Sequence, residues 1–188
     1  MDVKLLESVL DKTRNVVADV RPEMYDMSTP CPDYNVRTLV NHLVAWIGIF
    51  ATAAEGGTPA PDAAEAEAGG QPDEEFGQSA KRAVEALRDA PEDRQLTLMG
   101  ELPAGAMASM MLMEYIGHGW DLAVATAQHP PYNDDEARAA LAAAKGMLKP
   151  EYQGPDKSFG TPVPVPADAP PLDQLIGFLG RDPERARS

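Results

Sequence analysis

The chain has 188 residues, 44% of them hydrophobic, with a net charge of −14 and one cysteine. That length and apolar content suit one globular domain with a real core, not a disordered chain. The acid excess disfavours nucleic acid and anionic membrane surfaces, both of which need clustered Lys and Arg. Asp2, Lys4 and Glu7 break the opening stretch, so no secretory segment is expected there. No uninterrupted apolar run approaches the roughly 20 residues that span a bilayer. Cys31 has no internal disulfide partner, so a reducing cytoplasm is the expected compartment. Beside Pro30 and Pro32 it reads as a small packed apolar group and is assigned no chemistry.

The spacing of Leu6, Val9, Leu10, Thr13, Val16, Val17 and Val20 predicts a first helix over about 3–20, closed by Arg21 and Pro22. Residues 28–34 read as a rigid loop. Asn35 is placed to cap a second helix, whose broad apolar face holds Val36, Leu39, Val40, Leu43, Val44, Ile47 and Phe50. His42 falls at the edge of that face, near Trp46 and Ile49.

Residues 56–72 are rich in Gly, Ala, Pro and Glu and read as a loop. A third helix is expected over 73–90, its acidic start and basic later turns suited to the helix dipole. Leu96, Leu98 and Pro103 belong to a connection with no assignable periodicity. A fourth helix over 104–128 carries Met107, Met110, Met111, Glu114, His118 and Leu122 along one side. A fifth, alanine-rich helix over 134–149 has Asp134 or Asp135 as its expected cap. Beyond Pro150 the chain becomes proline-rich and extended, relieved by a short apolar helix near 172–179.

The chemistry concentrates in three side chains. Glu114 and His118 are four apart on one helix, so they stack on one face. His42 on the second helix can supply a third donor. Two His and one carboxylate with an open position are a recurring set for a divalent metal that acts on a substrate. A Glu-x-x-x-His pair alone is weak, since most are solvated pairs or bonded core histidines. Two features strengthen it. Met110, Met111, Met113 and Ile116 surround Glu114, and an ionised carboxylate there needs a cation or several hydrogen bonds. Of only three histidines, two lie on apolar flanks of long helices, whereas His129 before two prolines reads as a surface residue. The methionines read as core filler. Asp121 either orients His118 through its second ring nitrogen or is a surface acid bonded to a nearby loop. Trp46 and Trp120 line a pocket or belong to the core.

Three stretches carry a resemblance: Thr29-Pro-Cys-Pro-Asp-Tyr-Asn-Val-Arg-Thr-Leu-Val-Asn-His42-Leu, Glu114-Tyr-Ile-Gly-His118-Gly-Trp-Asp-Leu-Ala123, and Phe159-Gly-Thr-Pro-Val-Pro-Val-Pro-Ala-Asp168. Together they resemble the actinobacterial metal-binding branch of the DinB-like superfamily, close to the N-terminal domain of mycothiol-dependent maleylpyruvate isomerase. The likeness spans nearly the whole chain. It implies an all-α, DinB-like four-helix bundle with long crossover connections, here with an added helix and a proline-rich C-terminal tail. The division expected is a bundle over 1–150 and an extension over 151–188 packed on it. The resemblance makes His42, Glu114 and His118 the metal triad, with Asp121 and Trp46 as supporting or pocket residues. Tyr34 stands where the family commonly has tryptophan. The isomerase carries a further C-terminal domain that contributes to its active site, and the residues after Pro150 are too few to replace it.

The function so implied is metal-dependent transfer or isomerisation with a low-molecular-weight thiol such as mycothiol, acting on a small electrophile. The donor set suits zinc and admits nickel, cobalt, iron or manganese. Binding to such a set weakens below about pH 6, where imidazoles take up protons. The alternative is a non-catalytic accessory or stress-response protein that binds metal or ligand. A homodimer is the expected assembly.

Overall fold

The computed structural model describes residues 2–155, 157 and 159–186. Met1 in the expected 1–150 segment, and Asp156, Ser158, Arg187 and Ser188 in the expected extension, lie outside the described residues. Helix α1 spans Val3–Ala18, α2 Val36–Ala54, α3 Pro72–Arg88, α4 Ala104–Ala125, α5 Asp134–Met147 and α6 Pro171–Phe178. Strands β1 (Gln95–Thr97) and β2 (Glu101–Pro103) pair antiparallel, with Leu96 opposite Leu102. This hairpin fills the connection that showed no periodicity, because three-residue strands are too short to display alternation. Leu96 still tucks into the core.

Helix ends follow local chemistry. Asp2 caps α1 by accepting from the Lys4 and Leu5 amides. Asn35 caps α2 as expected and does more than was expected. Its side chain accepts from the Thr38 amide at 2.9 Å while the Thr38 hydroxyl accepts from the Asn35 amide at 3.0 Å. The cap of α5 is neither Asp134 nor Asp135. It is Asn133, which accepts from the amides of Asp135 and Glu136 while Glu136 reaches back to its amide. Both aspartates instead stand in the first turn, where the helix dipole favours negative charge.

In the bundle, α1 packs on α3 and α4, and α2 packs on the same two helices. Consecutive helices α1 and α2 thus face each other across a diagonal, which the long segments 19–35 and 55–71 make possible. This is the all-α bundle with long crossovers that the resemblance implied. By length and composition α2 could cross a membrane, but Val36, Leu39, Leu43, Ile47 and Phe50 are spent on the core. Helix α4 is buried nearly all round: Met107, Met111, Tyr115, Ile116 and Trp120 all lie inside. A partly exposed strip holds Met110, Glu114 and His118. Helix α5 covers α4 and in turn carries α6.

The proline-rich segment before α6 lies against it. Val163 donates to the Gly177 carbonyl at 2.8 Å, and Gln153 Nε2 to the Phe178 carbonyl at 2.8 Å. A side chain at Gly177 would run into Val165, so that glycine is what permits the close approach.

Candidate metal centre

Helices α2 and α4 meet where His42 faces Glu114. Both helices turn most of their surface inward, leaving one strip between them for polar groups. His42 Nε2 lies 2.6 Å from Glu114 Oε1, and His118 Nε2 lies 3.6 Å from the same oxygen. Donor atoms of all three residues stand within 4.8 Å of one another. Their side chains are 15%, 18% and 14% exposed, so the cluster is lined by protein yet opens to solvent.

The outer ring nitrogens are occupied. His118 Nδ1 lies 3.1 Å from Asp121 Oδ2. A carboxylate only accepts, so His118 carries its proton on Nδ1 and turns the Nε2 lone pair towards Glu114. His42 Nε2, 2.6 Å from the Glu114 carboxylate, donates to it by the same rule, so His42 Nδ1 accepts from the Tyr34 hydroxyl at 3.1 Å. The rings of Tyr34, His42 and His118 pack together, with His42 and His118 centroids 4.9 Å apart. Trp46 stands beside His42 at 6.0 Å between centroids. Trp120 does not join them; it is 1% exposed and belongs to the core.

Asp121 is fully buried, not a surface acid. Arg181, beyond the end of α6, donates from Nη2 to Asp121 Oδ2 at 2.8 Å and from Nε to both carboxylate oxygens at 3.3 Å. Burial alone would raise the Asp121 carboxyl, but Arg181 and His118 outweigh it and hold the group below the usual carboxylate range. Glu114 behaves alike: burial pushes it up, and His118, His42 and Arg181 together bring it below its ordinary value. Asp121 in turn overcomes the burial of Arg181 and holds the guanidinium more firmly protonated. Cys31 also lies here, its sulfur within 4.8 Å of donor atoms of His118 and Asp121. Burial raises its thiol above the usual range, so it stands as a neutral packed group, in keeping with the sequence reading.

The donor set fits a divalent ion. Ligands about 2.0–2.1 Å from a tetrahedral zinc stand about 3.3 Å apart, and the observed 2.6 and 3.6 Å separations straddle that spacing. Side-chain movements of less than about 1 Å would equalise them. His118 already has the required tautomer; His42 reaches it by moving its proton from Nε2 to Nδ1, where the Tyr34 hydroxyl can accept it.

Arg181 was invisible to sequence reasoning, since nothing local links it to α4. Tyr34 was singled out only as a departure from the family pattern, although its place eight residues before His42, on the loop leading into α2, hinted at proximity.

Known proteins place this geometry in context. The family model described as the mycothiol maleylpyruvate isomerase N-terminal domain matches residues 6–123, which include every cluster residue named above except Arg181. Two Mycobacterium tuberculosis proteins, described as "Uncharacterized protein MT0763" and "Uncharacterized protein Rv0738", are each 30% identical over 172 residues, covering 88% of this chain and 90% of theirs. No solved structure matches the chain significantly. With a family match over well over half its length, the chain belongs to the mycothiol maleylpyruvate isomerase N-terminal domain family.

Proposed function

We propose that the protein binds one divalent metal ion, zinc foremost, through His42, Glu114 and His118, and uses it with a mycothiol-type thiol to modify a small electrophile by transfer or isomerisation. The observation that carries this reading is the convergence of three donors whose outer ring nitrogens are already bonded, on a face open to solvent. When bound, such an ion supplies a Lewis acid that lowers the pKa of a coordinating thiol and holds it as a thiolate.

The remaining work belongs to the side chains. With neutral imidazoles, Glu114, Asp121 and Arg181 leave the cluster one net negative charge. That charge attracts a dication and, once offset, leaves the site receptive to an anionic sulfur ligand. Asp121 keeps the proton of His118 on the far side of the ring, away from the open face. Tyr34 and Trp46 flank His42 and shield one side of the cluster from water. A cytoplasmic location, where such thiols are reduced, and a homodimeric assembly belong to the same proposal.

Metal analysis of protein purified without a polyhistidine tag, followed by thiol conjugation, tests it. Wild type should carry or take up one ion per chain and accelerate the reaction of mycothiol, or of cysteine as a simpler thiol, with monochlorobimane. His42→Ala and Glu114→Gln should lose both properties while keeping their helical circular dichroism. Metal-loaded wild type with no rate above the uncatalysed reaction, and no thiol affinity by calorimetry, would remove the enzymatic reading.

A further inference from the structure

We propose that Arg181 is a positioning residue for His118: by clamping the Asp121 carboxylate, it fixes which ring nitrogen of His118 faces the open side of the cluster. The inference rests on the metal reading for its effect on affinity, and on geometry alone for its effect on the imidazole.

Asp121 Oδ2 receives two donors, Arg181 Nη2 at 2.8 Å and His118 Nδ1 at 3.1 Å. Arg181 Nε adds contacts to both oxygens, and Nη1 donates to the Leu179 carbonyl at 2.8 Å. The guanidinium is therefore held at its own end and grips the carboxylate as a fork, which sets the carboxylate plane as well as its position. Among the described residues, no further side-chain hydrogen bond to Asp121 is seen beyond these two partners. Without the fork, a carboxylate at the end of a short side chain can rotate and withdraw Oδ2 from the imidazole. His118 could then place its proton on either nitrogen. A proton on Nε2 occupies the position a ligand lone pair must take.

The chain delivers Arg181 with little latitude. Leu179 is 1% exposed and packs against Gly117, the residue before His118, where a Cβ would stand 3.1 Å from Leu179 Cδ1. Gly180 has φ +84° and meets the Gly160 backbone so closely that a Cβ there would lie 2.6 Å from it. The Arg181 amide closes back on the Ile176 carbonyl at 3.0 Å. One stretch of three residues thus seats an apolar side chain on α4, turns sharply, and inserts a guanidinium beside the candidate ligand. The stretch lies outside the matched residues 6–123, so the site draws one of its parts from a segment the family match does not cover. Lysine would be a poor replacement, since a compact ammonium lacks the planar fork.

The test has two readouts. Imidazole ¹⁵N NMR of metal-free protein, at a pH where His118 is neutral, should show His118 protonated at Nδ1 in wild type and a mixture of tautomers in Arg181→Met. Competition against a chromophoric chelator should show zinc affinity falling on the order of 10–100-fold in Arg181→Met and in Asp121→Ala. The double variant should lose no more than the weaker single, because both act through one contact. Arg181→Lys should not restore either property. If Arg181→Met fails to fold by circular dichroism, Arg181→Gln, which keeps a polar amide but lacks the guanidinium fork, carries the same measurements. A folded variant with wild-type tautomer and wild-type zinc affinity overturns the proposal, as does additivity in the double variant. If wild type takes up no zinc but its His118 tautomer still depends on Arg181, the metal reading falls and the positioning role stands.

Discussion

Glu136, the third residue of α5, shows how this acidic chain places a charge inside. It is 2% exposed, yet its oxygens accept from Ser8 Oγ, Lys12 Nζ and the Asn133 amide at 2.7–2.8 Å. Burial would raise its carboxyl, but Lys12, Ser8 and the Asn133 amide bring it below the ordinary value. A carboxyl with a lowered folded-state pKa is protonated first in the unfolded chain as pH drops. Its contribution is therefore full above the ordinary carboxylate range and disappears as pH falls through the folded value. Glu136→Gln should cost about 2 kcal/mol at neutral pH, and the gap to wild type should close under acid in urea titrations run across pH. A constant gap would mean the ion pair contributes nothing. Tyr115 presents the opposite case. Its ring packs edge-on against Phe50 and Phe76, and its hydroxyl is buried with no hydrogen-bond partner among the described residues. Removing an unsatisfied polar atom recovers its desolvation cost, so Tyr115→Phe should raise stability by about 1 kcal/mol in thermal denaturation.

Among the elements, α2 and α4 depend on different devices. For α2 the reciprocal Asn35–Thr38 cap matters, and Asn35→Ala should lower stability by about 1 kcal/mol, read as a shift in the urea midpoint. For α4 the device is small residues where neighbours approach. A Cβ at Gly119 would overlap the Tyr132 hydroxyl, which bonds the Tyr115 carbonyl at 3.0 Å and the Thr13 hydroxyl at 2.9 Å. Gly119→Ala should therefore cost about 1–3 kcal/mol even though alanine is the better helix former, because overpacking outweighs propensity. A variant as stable as wild type would show that the Tyr132 network relaxes freely.

Across the whole molecule, the core runs unbroken from α1 through α4 and takes in residues of β1, α5 and α6. Each helix brings an apolar face of its own, so the core is expected to form without an ion. Metal loading should accordingly raise the melting temperature by mass action, with the helical circular dichroism unchanged before melting. His118→Ala should keep the fold and lose that metal-dependent shift. Unfolding on chelation alone would make the ion structural.

Periodicity alone located the helices, because amphipathic spacing is local and each helix solves its burial problem with residues a few positions apart. Asn35 as a cap and the pairing of Glu114 with His118 were legible for the same reason: both operate within one turn. The α5 cap was displaced by one residue because Asn133, Asp134 and Asp135 are all capping types, and only backbone geometry chooses among them. Whether Asp121 faced the core or solvent was undecidable from its helix, since its partner comes from 60 residues downstream. The β-hairpin was too short to announce itself. The tertiary structure decided what spans long separations: that His42 reaches α4 and that Arg181 closes on Asp121. Such contacts depend on how the helices and the C-terminal segment pack in three dimensions, and spacing along the chain carries no trace of them.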